Sequence, residues 1–239
     1  MNYKVLVTTC DKQMWALRPM AYLFNVYWSA QQPVDVLCES LPPFALPENF
    51  TPVPVNLADG WPKEKWTNGF VKYLNSIPEQ LVVLLLDDYW LNRTVDVRGV
   101  VTLLEYMCIN PLVLRMDLTM DRLYAGGMRD YEPYGHYDLI HAPGSPYEMS
   151  LQAAIWNKEL LLTVLMPDWN PWEVEMQGTS VVNEREMLVL GTRQNPIRYT
   201  NGSNVGTGQV CTDRIPAEHL EKIKRWLPKE VPPKVENNG

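Results

Sequence analysis

Several things are scarce in this sequence, and each scarcity excludes something. No apolar stretch approaches the roughly 18 residues of a membrane span. The first residues, MNYKVLVTTCDK, lack an apolar core of signal-peptide length and a small-residue cleavage site. They read as a first strand, so the expected location is the cytoplasm. Cysteines number four (Cys10, Cys38, Cys108 and Cys211) and none forms a CxxC pair, so neither a zinc site nor a redox pair is indicated. A positive excess is also missing. The net charge of −7 argues against non-specific affinity for a nucleic-acid backbone and leaves only a local basic groove open.

What is present is an ordinary globular composition, 46% hydrophobic and 21% charged, over 239 residues. That length implies one large domain, expected over residues 1–227, with a disordered tail at 228–239. No internal repeat or composition break divides it. Nine Trp and twelve Tyr are many for this length; they serve cores first, and sugar or base stacking second.

The most informative stretch is Leu81–Leu91, LVVLLLDDYWL. A short apolar run bounded by turn formers predicts a strand buried on both faces. It ends in Asp87 and Asp88. In open α/β sheets, ligands bind at the carboxyl ends of strands. Adjacent carboxylates repel, and a divalent cation with a phosphate on its far side relieves this. The alternative is two acids that end a strand and face water.

Around this strand the chain alternates. Tyr3–Thr9 and Val34–Cys38 are strands flanking a helix from about Gln13 to Ser29, which predicts a parallel pair with a right-handed crossover. Leu41–Pro54 carries five prolines and must be extended, with another strand at Val53–Leu57. Trp61–Ile77 is a helix in which Gly69 marks close approach of a ligand or of another element. Val97–Ile109 is a helix and Pro111–Met116 a strand. Asp121–Tyr137 is irregular, either a loop over a site or one packed by its own tyrosines. Tyr137–His141 is a strand, and Asn157 caps a helix to about Leu165. In PDWNPWEVE, Asn170 fits an N-cap, Pro171 the first helical position and Glu173 the third. Met187–Leu190 is a strand, Asn201–Gly208 a flexible loop and Pro216–Trp226 a last helix.

Five of these stretches fall in a telling order: TTCD at the end of the first strand, Asn68-Gly69, the pair Asp87-Asp88, SLQAAIWNKELLLTVL, and the acids of PWEVE. Over roughly residues 3–190 the chain resembles GT-A-type, nucleotide-sugar-dependent glycosyltransferases of small bacterial and bacteriophage type. The usual acid-x-acid is an adjacent pair here. The resemblance implies a GT-A-like α/β sandwich with a mostly parallel central sheet and one cleft along its carboxyl edge. Thr8, Thr9 and Asp11 would meet the nucleotide base and ribose, with Asn68 near the nucleotide. Asp88, with or without Asp87, would hold Mn²⁺ or Mg²⁺ against the diphosphate of a UDP-sugar or similar donor, stabilising the leaving group. Arg115 and Asp117 would grip the diphosphate and a sugar hydroxyl, or form an internal salt bridge. His141 would be a third metal ligand or a packing residue. Glu173 would be the general base that takes the acceptor proton, or complete a capping box with Asn170; Glu175 is the reserve base. Trp172 would stack on a sugar or seal the core, and Arg129 and Arg193 would serve the diphosphate.

The implied reaction is inverting transfer to an acceptor hydroxyl. The acceptor is a glycan, or a hydroxymethylated base in phage DNA. DNA modification would need Lys12, Arg18, Lys63, Lys65, Arg122 and Arg129 to form a basic groove. A nucleotidyltransferase is disfavoured, because Thr8-Thr9-Cys10-Asp11 stands where a glycine-rich basic loop belongs. A degenerate GT-A domain used for binding or scaffolding is the non-enzymatic alternative.

Overall fold

The computed structural model describes residues 2–55, 57–58, 60–203, 210–211 and 215–228. In chain order, β1 (Tyr3–Thr8) leads through a 3-10 turn into α1 (Leu17–Phe24), which widens into a π-type turn at Asn25–Ser29. β2 (Val34–Cys38), β3 (Phe50–Pro54), α2 (Trp66–Ser76), β4 (Leu81–Leu86) and β5 (Tyr89–Leu91) follow. Then come α3 (Val97–Ile109), β6 (Val113–Asp117), α4 (Asp121–Tyr124), β7 (Arg129–Tyr134) and β8 (Tyr137–His141). The chain continues through β9 (Ala154–Asn157), α5 (Lys158–Val164), α6 (Pro171–Glu184), β10 (Leu188–Thr192), β11 (Tyr199–Asn201) and α7 (Ala217–Lys224).

Nine strands form one sheet in the order β3-β2-β1-β4-β9-β6-β10-β8-β7. The sheet is mostly parallel; β9 and β8 alone run against the others. β4 pairs β1 in parallel along its whole length, from Tyr3↔Leu81 to Thr8↔Leu86. Its residues are buried on both faces, as an unbroken apolar run requires. Val83 and Leu85 pack with α1 and α3 on one face, while Val82 and Leu84 pack with α2, α5 and α6 on the other. The result is a three-layer α/β sandwich. Its last helix docks on α1, where both ring nitrogens of His219 meet tyrosine hydroxyls, Tyr22 at 3.0 Å and Tyr27 at 3.1 Å.

The elements differ from expectation in three places. Residues 50–54 form the edge strand β3, one turn earlier than Val53–Leu57; an edge tolerates Pro52 and Pro54 because one side of the strand needs no partner. The stretch after Asp121 holds α4 and β7. Three of its tyrosines pack on residues outside the stretch rather than on one another: Tyr134 on Tyr106, Tyr131 on His141 and Tyr137 on Asp96. The acid pair leads into a second, two-stranded sheet, β5 with β11. The expected tail beyond residue 228 lies outside the described residues.

Gly69 answers to another element. A Cβ there would stand 2.4 Å from the Trp61 indole nitrogen and 2.6 Å from Val55. Gly69→Ala should therefore lower stability by about 1–3 kcal/mol, as overpacking does. Urea unfolding monitored by tryptophan fluorescence checks this; an unchanged midpoint would show that Trp61 moves aside freely.

Candidate active site

The carboxyl edge of the sheet gathers the chemistry. β1 ends at Thr8, and Thr9 follows with its hydroxyl donating to Asp87 Oδ2 at 2.6 Å. The Asp87 amide donates to the carbonyl of Thr8 at 3.2 Å, so the tips of β1 and β4 are tied together. Asp87 is buried and Asp88 half-buried. β11 lies antiparallel to β5, Tyr199↔Leu91 to Asn201↔Tyr89, and delivers Gly202 and Ser203 to the acids. The Gly202 amide donates to the Asp88 carbonyl at 2.6 Å, and the Ser203 hydroxyl to Asp88 Oδ2 at 2.9 Å. Gly202 allows this approach, since a Cβ would stand 2.3 Å from the Trp90 ring. The loop expected from Asn201 onward thus begins as structure; its remainder, 204–209, lies outside the described residues.

A cleft of about 1140 Å³ opens beyond Ser203, the partner of Asp88, and neither acid lines it. Its walls come from Thr119–Gly126 after β6, from residues 146–152 before β9, from Glu175 on α6 and from Ile197–Ser203. Glu175 is half-buried. Its Oε1 accepts from the Leu151 amide at 2.8 Å, and the other oxygen has no partner among the described residues. Burial lifts its carboxyl above the usual glutamate range, opposed by the Leu151 amide and Arg115.

Under the cleft lies an ion network. Arg122 is buried, donating to Ser145 Oγ at 2.9 Å, to the Tyr147 carbonyl at 2.8 Å, to Glu148 at 3.1 Å and to Asp121 at 3.2 Å. Arg115, also buried, stands 3.6 Å from both Asp117 and Asp121 and lies 5.4 Å from the centre of the Trp156 ring. None of its guanidinium nitrogens makes a hydrogen bond among the described residues.

The structure therefore separates the residues that the sequence grouped. Thr8, Thr9, Asp87 and Asp88 come together. Asp11 lies exposed on the next loop, where it accepts from the Ser40 amide and hydroxyl at 3.1 and 2.8 Å. Asn68 makes a reciprocal pair with Asp168, at 2.7 and 2.9 Å, which ties α2 to the turn before α6. Asp117 is fully buried; its oxygens accept from Thr119 and from the Arg122 amide, shaping the turn into α4. Arg115 takes the internal salt bridge rather than the cleft. Glu173 completes the capping box: its Oε2 accepts from the Asn170 amide at 2.8 Å, and Asn170 Oδ1 accepts from the Glu173 amide at 3.0 Å. His141 is not brought to the acids. It ends β8, which runs antiparallel to β10 and so points away from the carboxyl edge, and it lines a second cleft with Glu186 and Met187. Trp172 is half exposed under the Lys63 ammonium, 3.8 Å from its ring centre, and Arg193 pairs with Asp130. Asp121, Ser203 and Tyr199 are the cleft residues that sequence reasoning passed over. The only signal for Asp121 was its place at a helix start just after a strand.

Among the described residues no group of three or more His, Cys, Asp and Glu could hold a metal alone. Two carboxylates suffice for Mg²⁺ or Mn²⁺ when substrate phosphates and water supply the other ligands. The donors fit that role in charge as well: no cation pairs with either acid among the described residues, and burial destabilises both as anions.

No protein-family model matches the chain, and no curated protein matches it. Solved structures similar to it include a cytidylyltransferase from Leptospira borgpetersenii (11% identity, TM-score 0.44, 78% of this chain and 72% of that one). A 1–349 structure of S. aureus TarS matches at 13% identity and TM-score 0.47, over 83% of this chain; the chain spans 59% of that structure. A CMP:2-keto-3-deoxy-manno-octonic acid synthetase complexed with CTP matches at 11% identity and TM-score 0.45, over 94% of this chain and 98% of that one. Likeness at this level assigns neither a family nor an activity.

The acid pair generates a stability prediction. Burial raises both carboxyls above the ordinary aspartate range, and for Asp87 the charge of Asp88 adds to it. The folded protein thus keeps protons that the unfolded chain has released. The stability this gives is full below the unfolded value of about 3.9 and is lost as pH rises through the folded values. Without metal, Asp88→Asn should melt higher than wild type at pH 7, by roughly 2–4 °C per kcal/mol of repulsion removed. The difference should close near pH 4. A lower melting temperature at pH 7 would show that the pair is not a strained one.

Proposed function

We propose that the protein is a glycosyltransferase that moves a sugar from a nucleotide-sugar donor to an acceptor hydroxyl. The observation that carries this reading is the acid pair at the tip of β4, Asp87 buried and Asp88 half-buried, with no cation beside it among the described residues, and a cleft reached past Ser203 that holds a half-buried carboxylate. Such a pair suits a diphosphate bound through Mn²⁺ or Mg²⁺, which when bound neutralises the charge that develops on the leaving group. Asp88, the more accessible acid, holds the cation. Asp87 acts through Thr9, fixing the turn after β1 against which the nucleotide lies. Thr8 and Thr9 line that turn, and Asp11 with Ser40 builds its outer wall.

Glu175 is the base in this reading. Its unpartnered oxygen is available to an acceptor hydroxyl in the cleft, and its raised pKa makes it a better proton acceptor than a solvated glutamate. As the hydroxyl proton moves to Glu175, its oxygen forms the new bond at the anomeric carbon. The bond to the diphosphate oxygen breaks and its electrons leave with the nucleotide. Attack opposite the leaving group inverts the centre. Glu173 has its carboxylate committed to the helix cap.

Calorimetric titration of UDP with and without Mn²⁺, on wild type and Asp88→Asn, tests the donor site. Binding should require both the metal and Asp88. Absence of binding for both UDP and GDP would remove the reading and return the acid pair to a solvated strand end in a binding protein.

For the base, Glu175→Gln should lower kcat by about 10²–10⁴-fold. Glu173→Gln should stay near wild type, because glutamine also completes a capping box. In wild type, kcat should rise with pH through a value above the ordinary glutamate range, since only the deprotonated carboxyl acts. Steady-state kinetics of donor hydrolysis or transfer read both; the opposite ranking of the two variants would move the base to Glu173.

A further inference from the structure

We infer that the cleft receives a chain of neutral sugars as acceptor, with Asp121 as its hydroxyl-binding carboxylate and Tyr124 and Tyr147 as its stacking faces. This rests on the glycosyltransferase reading and adds the acceptor to it.

Size is the first argument. Sites for a single small ligand span roughly 300–1,000 Å³. The cleft, at about 1140 Å³, has room for a donor sugar and more than one further ring.

The lining is the second argument. Ser150, Gln152 and Asn201 bring a hydroxyl and two amides to the lining, groups that both give and accept hydrogen bonds, as sugar hydroxyls do. Two tyrosines stand at the wall with their rings in the open, Tyr124 at 76% and Tyr147 at 48% exposure. Tyr147 holds a left-handed backbone, φ 58°, and its carbonyl accepts from Arg122, so the network below fixes its position.

The third argument is how Asp121 is held. Its Oδ2 takes two buried guanidinium groups, Arg122 at 3.2 Å and Arg115 at 3.6 Å. Its Oδ1 has no partner among the described residues, and the side chain is partly open to the cleft. Burying an arginine costs several kcal/mol, and two are spent under one wall residue. A carboxylate fixed through one oxygen presents the other at a set angle, which suits the hydroxyl edge of a pyranose.

The same network argues against a nucleic acid. Arg122, one of the residues that a basic groove would need, is buried against Glu148 and Asp121. Arg115 lies against Asp117 and Asp121. Arg18 and Lys63 stand over Phe44 and Trp172. Among the described residues of the cleft lining, Arg198 is the one basic residue outside the network, and the lining also holds the acids Asp121 and Glu175. A strand of phosphates needs a positive track, and this lining is no such track.

The test is capture of the full chain on an array of neutral and anionic oligosaccharides and a single-stranded DNA containing hydroxymethylcytosine. The same preparation is titrated with UDP and Mn²⁺. Neutral oligosaccharides should capture it, longer chains better than monosaccharides. Tyr124→Ala, at an exposed side chain, should weaken capture by about tenfold. Asp121→Asn should weaken it at least as much while circular dichroism stays native. Salt-sensitive capture by the DNA, or capture undiminished in both variants, would overturn the inference. So would no capture by any neutral glycan from a chain that binds UDP and Mn²⁺. If UDP itself fails to bind, the glycosyltransferase reading falls first, and glycan capture would then mark a carbohydrate-binding protein with no acceptor role.

Discussion

The constraint on which this structure turns is the placement of Asp87, buried, and Asp88, half-buried, side by side at the tip of β4. Two adjacent carboxylates in a low-dielectric setting disfavour ionisation, and only nearby donors or a cation offset that. The fold provides the donors from two directions. Thr9 reaches Asp87 from β1, and Ser203 reaches Asp88 from the small sheet that β5 opens. The parallel β1–β4 register, the β5–β11 pairing and the small residue at Gly202 are all needed to bring these hydroxyls within 3 Å. What the fold does not provide, among the described residues, is a positive charge.

A second electrostatic centre sits one strand pair away, and it is built on the opposite plan. Arg115 and Arg122 are buried among Asp117, Asp121 and Glu148, so charge is matched inside the protein. The acid pair has no counter-ion among the described residues, whereas the arginine network carries its own. Its effect is mechanical as well as electrical. It fastens the turn after β6 to residues 145–148, and those two segments form facing walls of the cleft. Removing either arginine would strand buried carboxylates, a larger loss than the network's own net contribution to stability.

Much of the frame was legible in the sequence, for reasons that are local. The apolar run of β4 sits within one strand, and its length and flanks suffice to define it. The capping box at Asn170 and Glu173 and the N-cap at Asn157 are written in three or four residues, and both form as read. Gly69 was legible as a close approach, though not which neighbour approaches. The failures are long-range. Nothing local in YWL announces pairing with YTN more than a hundred residues later, so Ser203 was lost as a loop. His141 was placed by strand end alone, and strand end misleads when a strand runs antiparallel. Asp117 and Asp121 are both acids near a strand terminus; only the turn geometry decides that the first is consumed inside and the second faces the cleft.

The reversed direction of β9 explains why the cleft exists where it does. Had β9 run with its neighbours, the loop before it would lie at the amino edge, away from the acids. Because it runs against β4 and β6, its entry loop, residues 142–153, arrives at the carboxyl edge beside Thr119–Gly126 and the start of α6. That loop supplies Leu151, whose amide holds Glu175 and whose carbonyl accepts from Tyr89 directly after the acid pair. One backbone residue thus touches both Glu175 and the segment that follows the acid pair. The spacing between Glu175 and that segment is therefore held by a rigid tie, the backbone of one loop residue just before β9, bonded on both sides. A reaction that needs a proton acceptor at a fixed distance from a leaving diphosphate depends on just that rigidity.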